Sequence, residues 1–415
     1  MVDSPSMALP LEGIVVADLT QNVAGPFCAQ ILGDMGAEVI KVERPGRGDD
    51  ARAWKPPRWG DESATFMAFN RNKKSVALDL KHDAGLSVLR RLVARADVFI
   101  QSLRAGAVSE LGLDYAGATA INPRLVYCNV TAFGTRGPLA DRPGYDPLMQ
   151  AYSGLMSVNG HPGGEPARVG TSLVDMGTGM WAALGIVAAL RERDVTGRSV
   201  EVTTALFDTA LMWVSYSLMG YLGSGEVPEP QGSGTAMIVP YQAFRAADGY
   251  VLIAAGSDGL FRRLVEALGA PELASDPRFV DNPSRVANRA AIVDAVSRLT
   301  ADRKQAELLD LLRAAGVPSA PILRMDQVMQ EPQTHESGAL VSAPHPRISE
   351  YRSVGLPIQW DGQRPGVRRV PPLLGEHDAD VLTWLGYTLD DIRALRERGV
   401  LGGSNKGTSI THPRG

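Results

Sequence analysis

The sequence predicts an α/β protein whose larger part is a parallel sheet flanked by helices. Three observations predict it. Short apolar runs of strand length alternate with helical segments through the first half of the chain, the spacing of parallel strands joined by crossovers. The opening stretch, Gly13 to Arg52, reads strand, loop, helix, strand and a second loop. Between Gly223 and Pro240 lie four glycines and three prolines, the texture of a hinge, so a smaller unit interrupts the larger one.

The elements follow in order. Ile14, Val15 and Val16 suit a buried parallel strand. Pro26 stands where a helix can start without losing a needed N–H, and Phe27, Ile31, Leu32 and Met35 carry helical spacing as far as Gly36. Glu38 to Val42 is the next strand. This is the opening of a nucleotide-binding, Rossmann-like fold, but Thr20 to Gly25 lacks the GxGxxG glycines, which argues against a dinucleotide. Val76–Leu80, Ala96–Ile100 and Leu125–Val130 are further strands, with a helix over 84–94 headed by Asp83. A short strand is expected before Asp175, then an Ala/Gly-rich helix, the turn Val195 to Arg198, strand Val200–Thr204 and a helix over 206–222. The expected organisation is a large domain over 1–222, a linker or lid loop over 223–240, and a small domain over 241–322. The chain then returns to the large domain over 323–400 and ends in a loose tail over 401–415. In the small domain a hairpin forms around Asp248-Gly249 and helices span 260–268 and 289–312.

Bulk properties narrow the function. The chain has 415 residues, 44% apolar, with a net charge of −4, so its overall charge does not point to nucleic acid or a membrane. No apolar run approaches the roughly 20 residues of a membrane span, the longest being Met180 to Leu190. The residues before Gly13 carry no basic side chain, unlike a signal peptide. Two cysteines, Cys28 and Cys128, make no disulfide framework, and the expected compartment is the cytoplasm. Six histidines show no metal-ligand spacing, so no metal is expected. Of seven lysines five precede His82, which makes Arg71, Lys73, Lys74 and Lys81 either an anion site or a solvated turn.

Asp175 is the candidate for chemistry. It lies between Leu173-Val174 and the glycines Gly177 and Gly179. There it can cap a helix, or it can present a carboxylate at the end of the sheet, where ligands bind in open α/β folds and a helix start offers N–H donors. The glycines would let an acyl group approach. A carboxylate nucleophile in a dry pocket can move a thiol between two acids through an anhydride and a thioester, with no metal or redox cofactor.

In their order along the chain, the Asp18-to-Arg52 opening, Asn70-Arg71-Asn72-Lys73-Lys74-Ser75, Gly144-Tyr145-Asp146, the Asp175 turn, Asp276-Pro277-Arg278-Phe279 and Leu374-Gly375-Glu376-His377 resemble the family III CoA-transferases of the CaiB/BaiF type, the group that includes formyl-CoA transferase. The resemblance implies Asp175 as an aspartyl nucleophile. It also implies CoA contacts at Asn22, Val23, Ala24, Arg44, Leu78, Lys81, Ser102, Leu103, Arg104 and Tyr145. Arg44 and Lys81 suit phosphates and Leu78 and Leu103 the adenine faces, while Arg104 can also be a helix-end charge. Coenzyme A is then a substrate and no cofactor is required. The implied partners are an acyl-CoA, with succinyl-CoA the expected donor, and a carboxylic acid such as a dicarboxylate. The implied assembly is an interlocked homodimer.

The chain departs from formyl-CoA transferase at Val23, Ser102 and Leu103, and its glycine run is reduced to Gly232-Ser233-Gly234, a lid or a plain linker. These differences speak against formate and oxalate as substrates. Two alternatives stand beside transfer. An α-methylacyl-CoA racemase resembles this chain at Asp175 but carries a histidine where Tyr145 stands and a glutamate where Asp258 falls. A non-catalytic CoA-binding protein would use Asp175 as a cap only.

Overall fold

Six segments form one fully parallel sheet: β1 Val15–Leu19, β2 Glu38–Glu43, β3 Lys73–Ala77, β4 Val98–Gln101, β5 Val126–Thr131 and β6 Val200–Ala205. Their order is β3-β2-β1-β4-β5-β6, so the direction of winding reverses between β1 and β4. The computed structural model describes residues 8–402. It places this sheet in a large unit made of residues up to Ser153, Gly170–Val214 and the chain from His335 onward. The second unit comprises Gly154–Val169 and Ser215–Thr334. The small unit is therefore wider than 241–322 and takes in Gly154–Val169, a stretch the sequence reading left in the large domain. Of the expected tail, residues 403–415 lie outside the described residues.

The large unit is built from both ends of the chain. Val76, Val88, Leu89, Leu92, Phe99 and Tyr127 share one core with Val381, Leu382, Ile392 and Leu395 from the last two helices, Asp378–Trp384 and Leu389–Glu397. The return is latched to β3. His377 donates its amide to the Ser75 carbonyl, and its Nδ1 accepts from the Ser75 amide at 3.3 Å. The Gly375 amide reaches the Ser75 hydroxyl at 3.0 Å and Asp378 accepts from Ala77 at 2.9 Å. The Leu374–His377 motif is thus a structural clasp.

Two departures concern β3 and the Asp175 helix. The third strand begins at Lys73, earlier than expected, and its two lysines are not a turn. Lys73 is fully buried against Asp18 at 3.1 Å, Lys74 pairs with Glu38 at 2.7 Å, and Arg71 grips Asp34 at 2.6 Å. Internal carboxylates neutralise three of the four candidate cations, and Lys81 stays exposed with no ion pair among the described residues. No strand precedes Asp175; the helix starts at Leu173 and runs 24 residues to Thr196. It is the one described helix long and apolar enough to cross a membrane. Its length and composition serve packing, since Val174, Ala182, Ala183, Ile186 and Ala189 are buried.

In the small unit, Tyr241–Ala246 and Gly249–Ala254 form the expected hairpin, joined by Ser319–Pro321. Phe244, Val251, Phe261, Leu264, Phe279, Ile292 and Leu308 form its core. The expected 289–312 helix is two, Arg289–Ala301 and Gln305–Ala314. Arg285, fully buried, donates to the Val239 and Phe279 carbonyls at 2.8 and 3.0 Å and pairs with Asp258 at 2.7 Å. Asp258 therefore neutralises a buried guanidinium. The Asp276–Phe279 motif turns the chain so that Phe279 enters this core. The Gly232-Ser233-Gly234 loop is tethered: Gly232 donates to the Gly160 carbonyl at 2.8 Å, and the Ser233 hydroxyl accepts from the Ala243 amide at 3.0 Å.

Candidate active site at the switch point

The C-terminal ends of β1 and β4 open onto two adjoining cavities in the large unit, where the sheet order reverses and an open α/β fold binds its ligands. The larger encloses about 520 Å³. Asn22, Val23 and Ala24 line it from the loop after β1, and Ser102, Leu103 and Arg104 from the loop after β4. Tyr145 and Asp175 line it as well. The smaller, about 470 Å³, is lined by Arg44, Leu78, Lys81 and again Leu103. Gln21 and Leu103 border both cavities. The fold thus brings Asp175 and all ten residues implied as CoA contacts to this pair of cavities.

The loop after β1 has its shape imposed from beneath by charge. Asp18, fully buried, accepts from the Thr20 amide at 3.0 Å and the Thr20 hydroxyl at 2.5 Å, while its other oxygen faces Lys73. Lys41, equally buried, donates to the Thr20 carbonyl and pairs with Asp49, both at 2.8 Å. Asp49 in turn accepts from the amides of Asn22 and Ala51 at 3.0 and 2.9 Å. Burial works against the charge on Asp18, yet Lys73 and Lys41 hold its carboxyl below the usual range. Burial pushes Lys73 down to about 8 despite Asp18 beside it. Asn22 takes a left-handed conformation, φ +71°, which asparagine tolerates better than most residues. This network turns the chain outward at Gln21 and Asn22 where a Rossmann loop would use glycines.

The second loop, Arg44 to Asp50, is anchored by Glu43. Its carboxylate accepts from Arg52 at 2.7 and 2.8 Å, from the Ser75 hydroxyl at 2.6 Å and from the Asp49 amide at 3.0 Å. Burial raises its pKa, but Arg52, Lys41 and Ser75 outweigh that and hold it at about 2. Arg44 sits half-exposed at the rim, bonded to Gln21 at 2.9 Å and to Asp50 at 2.6 Å. Lys81 adds an exposed ammonium to the same cavity.

Asp175 is the third residue of its helix and does not cap it; the N-cap is Ser172, whose side chain makes no capping bond. The cap comes from elsewhere. Asp146, buried in the first turn of helix Asp146–Tyr152, accepts from the amides of Val174 and Asp175 at 2.7 and 3.2 Å. The Asp175 carboxyl is partly buried and has no hydrogen bond of its own among the described residues. Burial, and then the Asp146 charge, push its pKa up to about 7. A carboxyl held this way is more basic than an ordinary carboxylate. The glycines after it do not face an acyl group, contrary to expectation. A Cβ on Gly177 would lie 2.6 Å from the Trp213 ring, and one on Gly179 2.6 Å from the Ala24 carbonyl. They allow the helix to press onto its neighbours.

Sequence reasoning gave no role to Asp146, Gln21 or the Lys41–Asp49 pair. The Asp146-Pro147 step signals a helix start, but nothing local shows that its carboxylate reaches a different helix 28 positions on. Elsewhere, Cys28 and Cys128 are buried and free, and burial raises both thiols, Cys128 to about 12, so neither is a nucleophile. Among the described residues no cluster of His, Cys, Asp or Glu could hold a metal ion.

Comparison with known proteins agrees with this geometry. Residues 11–378 match the model of CoA-transferase family III. The human succinyl-CoA:glutarate CoA-transferase is 37% identical over 373 residues, 90% of this chain and 85% of the relative. An acetyl-CoA:oxalate CoA-transferase from Acetobacter aceti is 39% identical over 367 residues, 87% of this chain and 93% of the relative. The crystal structure of a CaiB/BaiF family protein from Brucella suis superimposes with a TM-score of 0.82 at 38% identity, covering 91% of this chain and all of that one. The parallel sheet, the cavities at its switch point and a match spanning most of the sequence agree, and the chain belongs to the family III CoA-transferases.

Proposed function

We propose that this CoA-transferase moves CoA from succinyl-CoA to a second short carboxylic acid, with Asp175 as the covalent carrier. The observation that carries the reading is the position of Asp175: an unbonded carboxyl with its pKa raised to about 7, lining the same cavity as the loops after β1 and β4. The donor is inferred from the human relative, which is named for succinyl-CoA and glutarate.

The chemistry balances without another reactant. An Asp175 oxygen attacks the thioester carbonyl carbon; the C–S bond breaks and CoA leaves as thiolate, giving a mixed anhydride. The thiolate attacks the aspartyl carbonyl, the donor acid leaves as carboxylate, and the enzyme holds an aspartyl thioester. The acceptor carboxylate attacks that carbonyl and expels the thiolate, which then attacks the acceptor carbonyl and frees Asp175. The cavity has to be dry during these steps, because water would hydrolyse the anhydride. In the smaller cavity Arg44 and Lys81 are suited to CoA phosphates, with Asp50 giving up Arg44 to a phosphate oxygen, and Leu78 and Leu103 are suited to the adenine. Asn22, Val23, Ala24, Ser102, Arg104 and Tyr145 flank the path toward Asp175.

Glutarate and other short dicarboxylates are the proposed acceptors. Oxalate, disfavoured on sequence differences alone, returns to the panel because the Acetobacter aceti relative is named for it. The working form is proposed to be a homodimer with interlocked chains. The Ser215–Ser224 helix supports this, burying none of its residues and leaving Tyr216, Met219 and Leu222 at 66–70% exposure. The cytoplasm is the proposed compartment, in keeping with two buried free thiols. The test is a CoA-exchange screen with succinyl-CoA and a panel of acids. Wild type is expected to form a new acyl-CoA, and Asp175→Ala to keep its circular dichroism and lose at least about a thousandfold in rate. Full exchange by that variant would remove Asp175 from the reaction.

A further inference from the structure

Asp146 has no part in the transfer steps above, yet among the described residues it is the side chain that accepts from the amides of Val174 and Asp175, the backbone that carries the nucleophile. The start of a 24-residue helix ordinarily offers free N–H groups and positive potential, and a carboxylate beside it becomes a weaker base. Here that potential is spent on Asp146. One of its oxygens takes the amides of Val174 and Asp175, and the other is held by the Gln150 amide at 2.6 Å. The Asp175 side chain is left without a donor, next to a second negative charge.

We propose that Asp146 is a positioning residue for the nucleophile: by occupying the helix-start amides it fixes the Asp175 backbone and denies the Asp175 side chain the donors that would quiet it. The inference rests on Asp175 being the acylated residue. It predicts that the oxygen attacking the thioester is strong because no hydrogen bond has to be broken first.

The other titratable groups on the elements packed against this helix do not account for the effect. Cys28 on the Ala24–Asp34 helix and Tyr127 and Cys128 on β5 have pKa values raised by burial and stay uncharged near neutrality. Asp34, on the Ala24–Asp34 helix, is committed to Arg71. Glu201 on β6, Asp208 on helix Leu206–Trp213 and Tyr152 on Asp146's own helix remain. Of the neighbouring charges Asp146 is the one that acts on Asp175, in the sense that raises its pKa.

The test uses the full chain and single-turnover acylation by succinyl-CoA, followed by quenching and mass spectrometry of the Asp175 peptide across pH 5–9. In wild type the acylation rate should rise with pH to a midpoint near 7. Asp146→Asn keeps a carbonyl acceptor for the two amides but removes the charge. Its midpoint should fall by at least about one pH unit, toward the ordinary carboxylate range, while acylation above pH 8 slows. Asp146→Glu keeps the charge and displaces the oxygen by a methylene. Its midpoint should stay near that of wild type while the acylation rate drops at least about tenfold, and this variant carries the test if Asp146→Asn does not fold. An unmoved midpoint in folded Asp146→Asn, or wild-type rates in Asp146→Glu, would overturn the positioning role with Asp175 still acylated. A wild-type enzyme that exchanges CoA without ever acylating Asp175 would remove the nucleophile itself, and this inference with it.

Discussion

At Asp175 reactivity and stability pull against each other. A carboxyl whose folded pKa stands near 7, against an ordinary value of 3.8, costs the folded state stability wherever the group must ionise. The sign follows from which state holds the proton. Below the ordinary value both folded and unfolded chains are protonated and nothing is lost. Between there and pH 7 the unfolded chain ionises first, so the cost grows, and above pH 7 it is constant. Asp175→Asn should therefore match wild type in melting temperature near pH 4 and exceed it at pH 8. A difference that does not grow between those pH values, in paired melting curves, would contradict the burial of this carboxyl. On the proposed mechanism the same shift predicts an acid limb near pH 7 in exchange activity, checked by the pH profile of the exchange rate. The cost is one that active sites commonly carry.

At the scale of elements, the loop after β1 and the Asp175 helix are each shaped by contacts distant in sequence. Lys41→Met would leave Asp49 buried without its partner, at a cost of ~3–5 kcal/mol, and should be read from denaturant midpoints. Gly179→Ala places a methyl 2.6 Å from the Ala24 carbonyl oxygen, a backbone atom that cannot swing aside, and should cost ~1–3 kcal/mol. A stable Gly179→Ala protein would show that the two helices have slack. These cases also mark how far the sequence could be read. The strands were legible because apolar runs are local, and the hairpin at Asp248-Gly249 because its turn residues are. The extension of β3 through Lys73 and Lys74 was not, since a lysine enters a core only where a carboxylate waits for it, and Asp18 stands 55 positions away. The break of the expected 206–222 helix at Val214 carries no glycine or proline and had no local signal either. Among site residues, Asp175 and the implied CoA contacts converge on the cavities, while Asp146 and Asp49 act through backbone amides, a role that their place in the motifs does not show.

For the whole molecule, the large unit closes only when the C-terminal segment returns to β3, and Glu43 ties that return to the site. Arg52, which grips Glu43, also donates to the Pro372 carbonyl at 3.0 Å. With a folded pKa of about 2 against an ordinary 4.5, Glu43 adds stability that is complete above pH 4.5 and lost as the pH falls toward 2. The melting-temperature gap between wild type and Glu43→Gln should be full at pH 6 and shrink through that window; a constant gap would contradict the ionised, clamped state. Assembly is tested by sedimentation. The proposed interlocked dimer should persist on dilution to nanomolar concentration, where a monomer would refute it. The central claim concerns one oxygen atom, and the most direct measurement is mass spectrometry of the Asp175 peptide, quenched during turnover with succinyl-CoA and treated with hydroxylamine. The account predicts a hydroxamate on Asp175, formed only when acyl-CoA is present and absent from Asp175→Ala. An unmodified Asp175 peptide while exchange runs at full rate would contradict it.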